Sequence, residues 1–255
     1  RGGQQWPFLP RKGTRMASKE AFLATVRAAL AKGTNGAEVT PQDTSPNRAD
    51  DQDIALMAEA LRESLAQRRD ALLKQLHRSA LLQEWKVVFV SSDEEARDAI
   101  INIATMLKAK DVVRTAHPVV ERLGLDEALE SKFIHSVLLG SGNADMQETA
   151  AGADIGITGM DYLIAETASA SLVAREGAAR MTSLLPPVHI AVAQVDQVVE
   201  TMEDLLIFRE ADLAKESDSN WYMNLISGPS KTADIEQTIV IGVHGPGEVH
   251  LVVIG

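Results

Sequence analysis

The stretch that decides the fold is "KVVFVSSDEEARDAIINIATMLKAKDVVRT", Lys86–Thr115. Lys86–Val90 and Asp111–Thr115 are short runs rich in β-branched residues, and both predict strands. Glu94–Lys108 between them predicts a helix. A strand, a helix and a second strand of this texture pair in parallel and connect by a right-handed crossover.

The alternation continues downstream. Val119–Leu129 predicts a helical stretch. "HSVLLG" and "ADIGIT" predict strands around a short helix, Ala144–Gly152. "SASLVA" and "HIAVA" follow as strands, then a helix near Val199–Phe208. "TIVIGV" and "EVHLVVIG" flank Gly245-Pro246-Gly247, which predicts a terminal hairpin. Upstream, Ile54, Ala58, Leu61, Leu65, Leu72 and Leu76 keep three/four spacing, which predicts one helix over Asp50–His77. Phe22, Val26 and Leu30 mark a shorter helix in Lys19–Lys32, and Gly33–Asn47 reads as a loop. The expected architecture is an open mixed α/β sheet with helices of an N-terminal region packed on it. The expected organisation is a tail at 1–15 ahead of a natural start at Met16, a helical region at 16–83 and an α/β domain at 84–255.

Composition narrows the function. The 255 residues carry a net charge of −11, and no basic run interrupts that acidity, so nucleic acid is excluded as an expected partner. Cysteine is absent, which removes disulfides, thiolate nucleophiles and cysteine-ligated clusters from this chain. No apolar run approaches the roughly 20 residues of a membrane span, and no secretory h-region opens the chain. A cytoplasmic, soluble protein is the expectation. The histidines lack metal-ligand spacing, so no metal is expected. G-x-G-x-x-G, Walker A and G-x-S-x-G motifs are all missing.

In open α/β sheets ligands bind beyond the carboxyl ends of the strands, so polar motifs at those ends are the candidates. Thr158, Gly159 and Asp161 lie where "ADIGIT" ends. "SGPSKTADIEQ" supports two readings. Ser230 or Thr232 can cap a helix, with Asp234 and Glu236 at its positive end. Alternatively the same hydroxyls and N–H groups, with Lys231, hold an anion. Glu166 lies between apolar neighbours; half burial would raise its pKa and suit acid/base work, or it pins a turn. His189 enters a strand and reads either as core or as function, whereas His244 stands at a strand end before Gly-Pro.

Four motifs in order, "ADIGITGMDYLIAET", "SLLPPVHIAV", "SGPSKTADIEQTIVIGVHGP" and "EVHLVVI", resemble the LUD-domain family over roughly Lys86–Gly255. The resemblance implies a fold similar to the NagB/RpiA/CoA-transferase group. It also implies a component of a lactate-utilization system that oxidises L-lactate to pyruvate with iron–sulfur partner proteins. Clusters would then sit in those partners and no cofactor in this chain; homo-oligomer formation is left open. Carried over by motif, the implied catalytic residues are Glu166 and His244. The implied ligand-binding residues are Thr158, Gly159, Asp161, Thr167, Arg180, His189, Ser227, Gly228, Ser230, Lys231, Thr232, Asp234, Glu236 and Gly245, with Pro246 beside them. One departure stands out: Ala168 occupies the place of a glycine common in the family's Glu-Ser/Thr-Gly turn. The alternatives are a stand-alone enzyme on a phosphorylated sugar, folate or CoA-type substrate with Glu166 as acid/base or nucleophile, and a structural adaptor with a vestigial pocket.

Overall fold

The computed structural model describes residues 48–140, 145–175, 180–215, 222–233 and 239–255. The tail, the Lys19–Lys32 helix and the Gly33–Asn47 loop expected from sequence lie outside them. In chain order the helices are α1 (Arg48–Gln67), α2 (Arg69–Leu82), α3 (Asp93–Met106), α4 (Pro118–Glu121), α5 (Leu125–Glu130), α6 (Met146–Gly152), α7 (Met181–Leu184) and α8 (Met202–Leu213). The strands are β1 (Lys86–Val90), β2 (Asp111–Arg114), β3 (His135–Leu138), β4 (Ile155–Gly159), β5 (Tyr162–Ile164), β6 (Ser169–Val173), β7 (Val188–Gln194), β8 (Val198–Val199), β9 (Met223–Ile226), β10 (Lys231–Ala233), β11 (Ile239–Ile241) and β12 (Glu248–Ile254).

Six strands form the central sheet in the order β1-β12-β7-β4-β2-β3, every pair parallel. The mixed directions lie in a second sheet, β8-β5-β6-β9, where β5 and β9 run antiparallel to β6. Side-chain alternation along β12 explains the layers. Val249, Leu251 and Val253 join Leu72, Leu76, Leu163, Leu172 and Phe208 on one face. Val252 and Ile254 join Ile100, Ala104, Val120 and Leu129 on the other. A strand apolar on both faces belongs in the middle of a covered parallel sheet.

Side chains cap the starts of α3 and α8. The Ser92 hydroxyl accepts from the Glu95 N–H, while Glu95 accepts from the Ser91 N–H. Thr201 and Asp204 form a reciprocal capping box at the start of α8.

Three expectations are corrected. The single helix over Asp50–His77 is two helices that break at Arg68, whose side chain reaches Glu200 at 2.6 Å. The break lets Leu65 and Leu72 both turn into the same core. The terminal hairpin does not form. β12 inserts in parallel between β1 and β7, while β11 pairs antiparallel with β10. Burial decides this: β12 is buried over most of its length, whereas Val240, Ile241 and Val243 remain about half exposed. Thirdly, Lys231–Ala233 is strand, with Thr232 paired to Val240, where the capping reading expected the start of a helix. Asp234 and Glu236 lie outside the described residues.

Candidate functional site

Beyond the carboxyl ends of β2, β4 and β7 lies a cavity of about 460 Å³. The chain leaving β2 brings His117 and Pro118 to it, the chain leaving β4 brings Asp161 and Tyr162, and β7 ends on Gln194 at its wall. This is the position expected for ligands of parallel sheets. Its other walls come from Arg62 of α1, Arg122, Arg175, and Phe208, Arg209 and Asp212 of α8.

The His117 ring is held closely. Its Nδ1 accepts from the Val119 N–H at 3.3 Å, capping α4, so the ring proton belongs on Nε2. Nε2 faces Asp161 Oδ1 at 3.7 Å. Gly159 makes room for it: a Cβ there would lie 2.2 Å from His117 Nδ1. Asp161 also accepts from the Val173 N–H at 2.6 Å and pairs with Arg175. Burial works to raise the Asp161 carboxyl, but His117, Arg175 and the Val173 N–H outweigh it and hold it below the usual carboxylate range. Tyr162 stacks on Phe208 with centroids 5.6 Å apart and donates to Asp212 at 2.7 Å. Burial and Asp212 push the Tyr162 phenol up, so it stays a neutral donor. The cavity thus combines guanidinium groups, one oriented imidazole donor and an aromatic wall.

Several of the other described candidates gather elsewhere. The Glu166–Ser169 turn, the α2–β1 connection and Ser227–Lys231 meet in one cluster. Ser79 donates to the Glu166 carbonyl at 3.0 Å, and the Trp85 indole to the Ala168 carbonyl at 3.0 Å. Thr167 donates to Ser169, whose hydroxyl lies 2.6 Å from that of Ser227. Gly228 has φ +90°, and a Cβ there would lie 2.1 Å from the Gln83 carbonyl oxygen. Lys231 reaches Glu84 at 2.8 Å.

Ser230 donates its N–H to the Pro246 carbonyl, and its own carbonyl accepts from the Gly242 N–H. Gly245 packs closely on Ser230. Gly247 and Glu248 donate to the Pro187 carbonyl, which places this loop at the amino ends of β7 and β12. The quoted S-G-P-S and H-G-P motifs do meet, but at the amino ends of the central strands, opposite the cavity.

Glu166 is exposed, which corrects its expected half burial and removes the desolvation argument for it. His244 is exposed as well. Thr158 and His189 are in the interior, with Thr158 Oγ1 2.7 Å from His189 Nε2. His189 lies near the Trp85 ring, at 6.4 Å between centroids, and burial depresses its pKa to about 3. It is a neutral core histidine. Arg180 lies over the Tyr222 ring at 4.3 Å. Of the sequence candidates among the described residues, Asp161 alone lines the cavity and Gly159 shapes it. Sequence reasoning missed His117, Arg62, Arg122, Arg175 and Arg209. The legible signal was "TAHP", a histidine before proline just past a predicted strand.

The model of the LUD domain family matches residues 73–254. Over 155 residues the chain is 34% identical to lactate utilization protein C of Halalkalibacterium halodurans, covering 60% of this chain and 66% of that protein. It is 25% identical over 279 residues to lactate utilization protein B 1 of Bacillus mycoides, covering 90% of this chain and 57% of that one. The matched part therefore spans less than two thirds of either relative. A crystal structure of a DUF162 family protein from Deinococcus radiodurans shares the fold at TM-score 0.52 and 23% identity, covering 73% of this chain and 98% of that one.

Proposed function

The chain belongs to the LUD domain family, and we propose on that footing that it is a component of a system oxidising L-lactate to pyruvate, with iron–sulfur partner proteins carrying the electrons. The observation that supports this best is the cavity at the carboxyl ends of β2, β4 and β7, where the partly exposed Arg122 and Arg175, paired with Asp93 and Asp161, stand beside His117 and can exchange a carboxylate partner for an organic anion. Similarity to proteins named lactate utilization proteins C and B supports the substrate. The chain contains no cysteine, so cluster ligation is assigned to partners.

Reconstitution tests it. The purified chain is mixed with the iron–sulfur proteins encoded beside its gene, and lactate-dependent dye reduction is followed. Activity should require both the chain and those partners, and should fall when Arg175→Gln replaces the parent. Dye reduction by the isolated chain with lactate and no added cofactor, or full activity of the partners without the chain, would remove the accessory role. Stand-alone turnover of a phosphorylated sugar or CoA-type substrate would favour the alternative of an independent enzyme.

A further inference from the structure

We propose that Asp161 is a specificity-determining residue, which makes the cavity beyond β2, β4 and β7 select 2-hydroxymonocarboxylates over the matching 2-oxo acids. The proposal rests on the lactate-oxidising reading for the class of acid and on the Asp161–Arg175 pair for the selectivity. Arg175 is 44% exposed at the cavity, whereas its partner Asp161 is 10% exposed. The guanidinium can therefore turn to an incoming carboxylate, which matches its fork geometry. Asp161 cannot follow it. The Val173 N–H holds one of its oxygens at 2.6 Å, and His117 Nε2 stands 3.7 Å from the other.

Exchange of that pair creates the demand for a hydroxyl. When Arg175 turns away, Asp161 Oδ1 loses a donor, and a mostly buried carboxylate oxygen left unmatched is costly. An ionised carboxylate only accepts hydrogen bonds. A 2-hydroxy acid supplies the replacement itself: its carboxylate takes Arg175, and its O–H, one carbon away, donates to Oδ1. A 2-oxo acid sets a carbonyl oxygen there, acceptor against acceptor. A plain alkyl acid offers nothing. Asp161 is ionised for this role. Burial opposes the charge, but His117, Arg175 and the Val173 N–H keep its carboxyl below the usual carboxylate range.

Charge and size set the other limits. Asp196 and Asp212 line the same cavity, while Arg122 and Arg209 face Asp93 and Asp212. Charges so balanced suit a monoanion better than a phosphate or a dicarboxylate. The volume, about 460 Å³, exceeds what a three-carbon acid fills, so longer 2-hydroxy acids fit as well. The selectivity thus acts at C2 and not at the tail. An acid that has lost its O–H on oxidation also loses its hold on Asp161, which favours release of the product.

The test titrates the purified chain with L-lactate, 2-hydroxybutyrate, pyruvate, propionate and inorganic phosphate at neutral pH and constant ionic strength, read by calorimetry and thermal shift. L-Lactate and 2-hydroxybutyrate should bind saturably and raise Tm. Pyruvate and propionate should bind at least about tenfold more weakly, the loss expected when a buried charged acceptor goes unmatched. Asp161→Asn, whose amide offers a donor as well as an acceptor, should bring lactate and pyruvate to similar affinities. Arg175→Gln should weaken both. No saturable binding of lactate overturns the proposal. So does pyruvate or propionate binding as tightly as lactate in the parent, or a folded Asp161→Asn that keeps the parent's preference. The parent's preference needs no substitution, so it decides even where Asp161→Asn does not fold. Selective binding without lactate-dependent dye reduction in the reconstituted system removes the proposed function and keeps Asp161 as the selector. Dye reduction that requires the chain, with no preference for the hydroxy acid, keeps the function and removes this assignment.

Discussion

Ala168 takes φ +50° although it carries a Cβ. That left-handed conformation costs a non-glycine residue about 1–2 kcal/mol. The turn keeps it because the Ala168 carbonyl must reach the Trp85 indole, and the methyl is buried. Ala168→Gly relieves the strain and loses about 0.8 kcal/mol of buried methyl, so a small rise in Tm is expected. A fall in Tm would show that packing of the methyl outweighs the strain. His189 makes a pH prediction. Its folded pKa, about 3, lies below the ordinary 6.5, so the unfolded chain takes up the proton first. The stability it contributes is full above pH 6.5 and is lost as pH falls from there toward 3. His250 is also depressed, first by burial, and adds in the same direction. His189→Gln, which can keep a bond to Thr158, should flatten the decline of Tm above about pH 4, where carboxylates begin to contribute. An unchanged slope would show that His189 does not set the acid sensitivity.

At the level of elements, the β10–β11 ribbon is tied down by backbone more than by charge. Gly228→Ala would put a Cβ against the Gln83 carbonyl at a positive φ, so a loss well above about 1 kcal/mol is expected in denaturant unfolding. Lys231→Ala breaks the pair with Glu84, whose partners are 36% and 55% exposed. It should cost less than about 1 kcal/mol, and less still at high salt. A larger effect from Lys231 than from Gly228 would reverse this ranking. Both experiments leave the cavity untouched, because this cluster lies at the amino ends of β7 and β12.

Across the molecule, α1 and α2 belong to the core of the central sheet. Leu65, Leu72, Leu76 and Ala80 pack with Leu163, Leu172, Leu251 and Val253. Leu76→Ala should therefore cost about 2–5 kcal/mol. A chain trimmed to residue 73, where the family match begins, loses Ala58, Leu65 and Leu72 from that core and Arg62 from the cavity wall. It should show no cooperative thermal transition at the parent's Tm. Retention of that transition would show that α1 is dispensable. No described helix is long and apolar enough to cross a membrane.

Some of this was legible in the residues alone. β-branched runs and helical spacing are local properties, so Lys86–Val90, Asp93–Met106, Asp111–Arg114 and Val188–Gln194 appear where sequence places them. The family motifs were legible for the same reason. Short strands such as Tyr162–Ile164 and Val198–Val199 were not, because two or three residues carry too little periodicity. Pairing was not legible either: "TIVIGV" and "EVHLVVI" are neighbours in sequence, yet β12 gains more by burying both faces between β1 and β7. The cavity likewise needed the fold. Gly159 and Asp161 are legible as candidates past the end of "ADIGIT", whereas nothing in the sequence singles out His117 as their neighbour. Parallel crossovers bring the ends of β2 and β4 together, and the missing Cβ of Gly159 lets the imidazole settle beside the carboxylate. Sequence specifies what each segment prefers, but burial summed over the whole chain decides which segments meet.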